Sequence, residues 1–402
     1  MKSPLPPSFL FSKDVPAPCY LIDEEALCRN CAILEDIQRK TGVRILLALK
    51  AFACWSLFPL LSRAYQGVLW GTCASSVDEA RLGREEFGGE VHVFSSGYDT
   101  ASVLALCELV DTFSFNSIAQ FRRFWPTITA FCAKTGRTIH AGIRINPEYT
   151  ESTHAIYDPC DPSSRLGVRR RDFDEAVFAE GVSGLHCHTL CEQNADVLAR
   201  TLTQVYAKFG SLLTRSSWVN LGGGHHITRD DYDRDCLCRE IVRMQEYTNA
   251  TVYLEPGEAV ALESGWLSAT VLDCVMADVW VVILDVSITC HMPDVLEMPY
   301  RPRVYYEDAG SICEAKAYDG QGVCVRLAGN SCLAGDVVPF LYSFSRLPCV
   351  GDRLLFADMA IYSMVKTTTF NGLRLPSIAS FRGERLRLLR QFGYEDFKSR
   401  LS

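Results

Sequence analysis

The sequence has no low-complexity tract, no long block of like charges and no apolar run of membrane length. Its first residues, MKSPLPPSFLFSKDVPAP, lack the apolar core of a secretory signal peptide. A membrane-spanning helix needs about 20 consecutive, mostly apolar residues. We therefore expect a cytoplasmic protein with no membrane partner.

An excess of positive charge is also absent, since the formal net charge is −8 over 402 residues. Nucleic-acid-binding proteins usually present a basic surface, so we expect no nucleic-acid partner. Carboxylate-lined sites attract cations, which mildly favours a cationic small-molecule ligand. The hydrophobic share of 48% and the charged share of 22% are those of an ordinary globular protein, long enough for two domains.

The 18 cysteines do not form a disulfide framework or a zinc motif. Cys28 and Cys31 lie in a predicted helix without a second pair at zinc-ribbon spacing, so we expect reduced thiols. The histidine pairs His186/His188 and His225-His226 are not predicted to bind a metal. Adjacent histidines tend to diverge, and the sequence offers no third ligand beside them.

Eight short, strand-like apolar runs alternate with amphipathic helical segments, which predicts βαβ units and a parallel sheet. The count favours a (β/α)8 barrel over the alternative of an open, doubly wound sheet. We assign residues 28–262 to this barrel domain. The predicted strands are residues 45–51, 67–75, 90–95, 112–116, 140–146, 181–190, 218–224 and 251–257.

The sequence after about residue 261 is rich in strand-forming residues and turns, without long helical patterns. It predicts a second, mostly antiparallel β domain over residues 263–402. The segment CYLIDEEAL near the amino terminus opens with a short strand, and we assign residues 1–27 to the same domain.

Three features at the carboxyl ends of the predicted strands point to one kind of site. Lys50 follows a buried strand, where desolvation would favour the neutral, nucleophilic amine that forms a Schiff base. The glycines after the seventh strand can approach and bind a phosphate, and Glu255 could face a ring nitrogen. A solvated lysine, a flexible turn and a helix-capping carboxylate would explain each feature separately. Their combination describes a pyridoxal-phosphate site.

Several motifs closely resemble those of carboxynorspermidine/carboxyspermidine decarboxylases, from about residue 17 to about residue 378. The resemblance implies an alanine racemase-like, fold-type III enzyme with a barrel and a β domain. It implies a homodimer with active sites at the subunit interface. The implied activity is the pyridoxal 5'-phosphate-dependent conversion of carboxynorspermidine and/or carboxyspermidine to norspermidine or spermidine in polyamine biosynthesis. The motifs are LALKAF, HTLCEQN, NLGGGHHITR, LEPGEAVAL, CHMPDVLEMPYRP, SCLAGD and MVKTTTFNG.

The resemblance also implies roles for residues that contact the cofactor. Lys50 would hold it as a Schiff base, His188 would stack on its ring, and Glu255 would pair with the ring nitrogen. The predicted phosphate contacts are Gly222, Gly223, Gly224 and the hydroxyl of Tyr362.

For the substrate, the resemblance implies that Glu258 and Asp294 bind the cationic polyamine. Cys332, contributed by the neighbouring subunit, would donate a proton after loss of carbon dioxide. The sequence departs from the family pattern at Asn330, where proline is more usual, and at Ile361, where histidine is more usual. Both departures leave the substrate preference open, and the two carboxy-polyamines differ by a single methylene.

Related decarboxylases of diaminopimelate or ornithine are the nearest alternatives. They carry an acidic residue where this chain has Leu333, and arginine where it has Glu258. Glu255 disfavours an alanine racemase, which places a basic group against the ring nitrogen. A non-catalytic regulator of polyamine metabolism is a further alternative, disfavoured because Lys50 and Cys332 are both present.

Overall fold

A computed structural model describes residues 5–152 and 155–402 of the chain. The chain divides into two compact units, Cys28–Val260 and a second unit made of Met1–Leu27 and Ala261–Ser402. Within the described ranges, no helix is both long enough and apolar enough to cross a membrane.

The first unit is a closed barrel of eight parallel strands, as predicted. The first strand of the chain, β1 (Cys19–Asp23), belongs to the second unit. Barrel strands follow the order β2-β3-β4-β5-β6-β8-β9-β10, and the ring closes because β10 pairs with β2. The two-residue strand β7 pairs only with β6. The strands are β2 (Arg44–Ala48), β3 (Gly71–Ala74), β4 (Glu90–Ser95), β5 (Thr112–Phe115), β6 (His140–Asn146), β7 (Val168–Arg169), β8 (Val182–His186), β9 (Trp218–Asn220) and β10 (Thr251–Leu254).

Helices connect successive strands of the barrel. Short polar side chains begin several of them: Ser76, Asp99, Ser117 and Asp233 each accept a hydrogen bond from the backbone N–H three residues later. The α-helices between β1 and the second unit's long strands are Glu24–Thr41, Phe58–Leu61, Val77–Leu82, Thr100–Cys107, Ile118–Thr135, Val177–Glu180, Ala195–Leu213, Arg234–Thr248 and Glu258–Ala261.

Trp218, the first residue of β9, fills the barrel beside two glycines. A Cβ atom at Gly142 or Gly184 would lie 2.3 or 2.1 Å from the Trp218 ring. Glycine is therefore required at both positions, since the indole occupies the volume that any larger side chain would need. Nearby, at the amino ends of the strands, Arg44 forms an ion pair with Glu90 at 2.5 Å, and the Tyr253 hydroxyl donates to Glu90 at 2.9 Å.

The second unit is built on a ten-stranded, mostly antiparallel sheet, as predicted. Its order is β12-β15-β16-β14-β13-β17-β11-β1-β18-β19, with a further pairing of β11 and β12. Pairing is parallel only for β1 with β18 and β12 with β15, among the strands described. The strands after β10 are β11 (Gly265–Met276), β12 (Trp280–Leu284), β13 (Val304–Asp308), β14 (Ser311–Ala317), β15 (Val323–Ala328), β16 (Val337–Phe344), β17 (Arg353–Ala357), β18 (Ser377–Arg382) and β19 (Arg385–Arg390).

The amino-terminal strand β1 joins this sheet, as its sequence predicted. It lies between β11 and β18, so that Cys19 faces Ser268 on one side and Ser377 on the other. Cys19 and Leu21 of β1 pack in a core with Trp266 and Phe381. The short α-helices of this unit are Ile288–His291, Asp294–Glu297 and Tyr394–Lys398.

Candidate active site

Glu255 is the centre of a polar cluster at the carboxyl ends of three barrel strands. It follows β10 directly and is only 6% exposed. One carboxylate oxygen accepts a hydrogen bond from Asn220 Nδ2 at 2.6 Å. The other lies 3.4 Å from His186 Nε2 and 3.9 Å from His188 Nδ1. Parallel strands end at one face of a barrel, which is why residues so distant in sequence meet here.

Burial and mutual contact shift the pKa values of Glu255 and of its two neighbouring histidines downward. Burial alone would raise the pKa of Glu255, but the contacts with His186 and His188 hold this pKa well below its usual value. Burial lowers the pKa of His186. Burial, assisted by the positive charge of Lys50, lowers the pKa of His188 to about 3. The cluster thus joins one carboxylate and two imidazoles whose pKa values all lie below their ordinary values.

The three glycines after β9 pack directly against this cluster. A Cβ at Gly222 would lie 2.7 Å from His188 Cα, and a Cβ at Gly223 would lie 2.3 Å from the Glu255 carbonyl oxygen. Gly222 and Gly224 also have φ of +73° and +82°. The Gly223 N–H donates to His188 Nδ1 at 3.3 Å, and the Gly222 N–H donates to Asn220 Oδ1 at 2.8 Å. The segment is therefore a fixed backbone turn that orients His188, and not a flexible loop.

Lys50 lies in the turn that follows β2. The Ala48 N–H, two residues earlier, donates to the Pro256 carbonyl at 3.3 Å, and Gly257 packs against Ala51. This turn is thus attached to the segment that carries Glu255. The strand is buried through Leu49, but Lys50 itself is exposed. The predicted desolvation of Lys50 is therefore wrong in this structure.

Glu258 begins the helix Glu258–Ala261 and lies beside the second histidine of the pair after the glycines. His226 Nδ1 is 3.6 Å from the Glu258 carboxylate. Burial and the nearby charge of Arg229 lower the pKa of His226 to about 4. The Thr228 hydroxyl donates to the Ala259 carbonyl at 2.7 Å and holds this segment against the helix.

Glu255 lies beside both histidines of the His186/His188 pair. We expected the His186/His188 pair to lack a third ligand, but Glu255 approaches both. Among the described residues, these three side chains bring potential ligand atoms within 4.8 Å of one another. The carboxylate arrives from a different strand, β10, and no spacing in the sequence indicated this. Its second oxygen is already hydrogen-bonded to Asn220.

The other predicted site residues lie in the second unit. Asp294 begins the helix Asp294–Glu297 and forms an ion pair with Lys366 at 2.5 Å. Tyr362 has a left-handed backbone conformation, with φ of +46°, and its carbonyl accepts the Lys366 N–H at 2.9 Å. Cys332 is exposed on a separate loop, and its backbone N–H donates to Asn371 Oδ1 at 2.9 Å.

Three residues with clear places in these clusters were missed by the sequence analysis. Asn220 orients Glu255, His226 contacts Glu258, and Lys366 pairs with Asp294. Asn220 and His226 flank the glycines in NLGGGHHITR, and Lys366 is the lysine of MVKTTTFNG, so membership in these motifs was the available signal.

A scan against protein-family models gave no match. A comparison with curated proteins gave full-length relatives. The chain is 41% identical to a carboxyaminopropylagmatine decarboxylase of Synechocystis sp., over 96% of each sequence. It is 35% identical to a carboxynorspermidine/carboxyspermidine decarboxylase of Campylobacter jejuni, over 97% of this chain and all of that protein.

Solved structures extend the comparison to the fold. The crystal structure of carboxynorspermidine decarboxylase from Campylobacter jejuni, complexed with norspermidine, superposes with a TM-score of 0.84 at 34% identity, covering 96% of this chain and 100% of that chain. Diaminopimelate decarboxylase from Helicobacter pylori gives a TM-score of 0.77 at 17% identity, covering 96% of each chain, which shows a shared fold alone.

Two findings define the class of this protein: a (β/α)8 barrel with a second, mostly antiparallel β unit, and full-length curated relatives that are named as decarboxylases. It is an alanine racemase-like decarboxylase, a carboxy-lyase. The full-length identity to curated members then shows that the chain belongs to the carboxynorspermidine/carboxyspermidine decarboxylase family.

Proposed function

We propose that this protein removes carbon dioxide from carboxynorspermidine or carboxyspermidine with pyridoxal phosphate as cofactor. The substrate assignment depends on one observation. The chain is 35% identical to the Campylobacter jejuni carboxynorspermidine/carboxyspermidine decarboxylase over the full length of that enzyme. We further propose that the protein acts in the cytoplasm as a homodimer, because Cys332, Leu333 and Phe370 are exposed and a neighbouring subunit would cover them.

The residues at the barrel's carboxyl end fit this cofactor. They supply a primary amine in Lys50, a buried carboxylate in Glu255, and a glycine backbone whose close approaches leave no room for a Cβ. Pyridoxal phosphate supplies an aldehyde that condenses with amines and a protonated ring that accepts the electron pair released with carbon dioxide.

Each residue of the first unit has a proposed task. Lys50 would hold the cofactor through its aldehyde, and the substrate amine would take the place of the lysine. Glu255, kept ionised, would hold the proton on the ring nitrogen, while Asn220 fixes the carboxylate's orientation. His188, held by the Gly223 N–H, would lie against the ring as an uncharged imidazole.

The second unit supplies the remaining tasks. We propose that the hydroxyl of Tyr362 joins Gly222–Gly224 at the phosphate, and that Asp294, with Glu258 of the barrel, binds substrate ammonium groups through charge-assisted hydrogen bonds. Cys332, from the neighbouring subunit, is the proposed donor of the proton that replaces the lost carboxylate.

A second substrate is favoured by a specific observation. The chain is 41% identical to the Synechocystis carboxyaminopropylagmatine decarboxylase over 96% of each sequence. Agmatine ends in a guanidinium, which binds carboxylates through two parallel hydrogen bonds, whereas an ammonium acts as a point charge. Both ligand types suit a carboxylate-lined site, so both must be tested.

The test measures carbon dioxide release by the cofactor-loaded protein from carboxynorspermidine, carboxyspermidine, carboxyaminopropylagmatine, diaminopimelate and ornithine. We expect release from a carboxy-polyamine and a loss of at least about a thousandfold in Lys50→Ala. Lys13→Ala, at an exposed lysine, is the matched control and should keep full activity.

Three outcomes separate the alternatives. Release chiefly from carboxyaminopropylagmatine would favour the second substrate. Release only from diaminopimelate or ornithine would overturn the roles of Glu258 and Asp294. Full activity in Lys50→Ala would overturn the proposed mechanism.

A further inference from the structure

The carboxylate proposed to bind the substrate already binds an alkylammonium group of the protein itself. Lys366 Nζ lies 2.5 Å from Asp294 Oδ1 and also contacts a carboxylate oxygen of Glu297. Asp294 and Glu297 stand three residues apart on one short helix, so their side chains point to the same side. The lysine ammonium is therefore shared between two carboxylates.

The ion pair between Asp294 and Lys366 is less exposed to solvent than a typical surface ion pair. The exposed fraction of the side chain is 16% for Asp294 and 32% for Lys366, while Glu297 is 45% exposed. Solvent screens the Asp294–Lys366 contact less than a fully exposed pair. The Glu297 contact is the more solvated of the two.

The backbone fixes the lysine beside a predicted cofactor contact. The N–H groups of Val365 and Lys366 donate to the Tyr362 carbonyl at 3.0 and 2.9 Å, which closes a turn from Tyr362 to Lys366. Thr368 N–H donates to the Cys290 carbonyl at 2.9 Å and ties the same segment to the helix that precedes Asp294. Backbone hydrogen bonds thus hold the segment both before and after Lys366.

We propose that Lys366 is a specificity-determining residue, because its ammonium occupies the position between Asp294 and Glu297 that a substrate ammonium would take. The lysine ammonium neutralises one of the two negative charges of Asp294 and Glu297. It therefore weakens the attraction of these two carboxylates for the ammonium groups of a polyamine. The inference rests on the proposed role of Asp294 in substrate binding.

Calorimetric titration of the cofactor-loaded protein with norspermidine, a triamine, and with putrescine, a diamine, tests this role. Lys366→Met removes the charge and keeps a linear side chain. Norspermidine should then bind about fivefold more tightly, because both carboxylates become available to its ammonium groups, and putrescine should gain less. Lys366→Arg keeps the charge and should keep the wild-type affinity.

Two further variants separate the possible outcomes. Lys13→Met changes the net charge equally at an exposed position and should leave both affinities unchanged. Glu297→Gln, which leaves Lys366 paired with Asp294 alone, should weaken norspermidine binding. If Lys366→Met weakens norspermidine as Glu297→Gln does, or changes nothing, the inference is wrong.

The same proteins show whether the proposed function or only this inference has failed. Wild-type decarboxylation of a carboxy-polyamine, lost or impaired in Asp294→Asn, with no tightening in Lys366→Met, would overturn the role of Lys366 alone. A wild-type protein that decarboxylates no carboxy-polyamine and binds no norspermidine would overturn both.

Discussion

The two ends of the barrel differ in how their polar side chains are paired. At the amino ends of the strands, Arg44, Glu90 and Tyr253 satisfy one another at 2.5 to 3.1 Å, and the Arg44 guanidinium covers the Trp70 ring at 4.5 Å. At the carboxyl ends, both ring nitrogens of His186 are buried without a hydrogen bond among the described residues.

This difference indicates that the amino ends of the barrel strands contribute to stability and that the carboxyl ends serve function. A saturated network contributes to a single folded state, whereas buried polar atoms without partners cost free energy and are retained mainly at functional sites. In barrel enzymes the carboxyl ends of the strands carry the chemistry and the amino ends carry stability. Substitutions at the two ends should therefore change different measured quantities.

The largest expected effect is on catalysis, at Glu255. Glu255→Gln keeps the size of the side chain but cannot hold a negative charge at the proposed cofactor site, so the decarboxylation rate should fall about a thousandfold. The measurement is carbon dioxide release, with thermal unfolding recorded in parallel. Glu90→Gln, at the opposite end, is the matched control and should keep its rate. Equal losses in the two variants would refute the division between the ends.

The next effect is on stability, at Trp218. Trp218→Ala leaves a cavity beside Gly142 and Gly184 and should cost about 3–5 kcal/mol of unfolding free energy, measured by urea denaturation. Trp55→Ala, at an indole that is 54% exposed, should cost less than about 0.5 kcal/mol. The rate per folded molecule should be unchanged in both. A stability loss at Trp55 as large as that at Trp218 would contradict the packing argument.

A smaller effect concerns pH, at His225. Burial lowers the pKa of His225 from 6.5 to about 4, and its Nδ1 lies 3.3 Å from the Tyr232 hydroxyl. The unfolded chain binds the extra proton first, so stability falls as pH falls from about 6.5 towards 4. His225→Gln should reduce this loss by about 2 kcal/mol, measured by urea denaturation at each pH. His140→Gln, at an exposed histidine, should leave the pH dependence unchanged; a flattening there would contradict burial as the cause.

The sequence was sufficient for the architecture because each barrel strand is a short apolar run bounded by turns. Each of the eight predicted runs overlaps an observed strand, and β4 and β6 have the predicted limits. The predicted runs that contain β8 and β9 extend too far beyond the ends of these strands. Residues such as Gly222 continue the apolar pattern in the sequence, but they lie outside the sheet and pack against His188.

The site was less predictable because its geometry depends on contacts between strands. The sequence predicted that Glu255 and His188 lie at strand ends. It did not predict that Glu255 approaches both His186 and His188, or that Asn220 orients Glu255. Lys50 follows a buried strand yet is exposed, because burial of a backbone does not fix the position of a long side chain. The pairing of Lys366 with Asp294 joins segments that no local pattern connects.

The position of strand β1 in the second sheet also has a consequence for the order in which the two units can fold. It emerges first during synthesis, but its neighbours β11 and β18 are made much later, with Cys19 facing Ser377. Its two hydrogen-bonding edges cannot both be paired in the native way until β18 has left the ribosome. The barrel strands, by contrast, all lie within one continuous stretch. The expected folding order is therefore barrel first, with β1 exposed and open to misassociation until β18 has been synthesised.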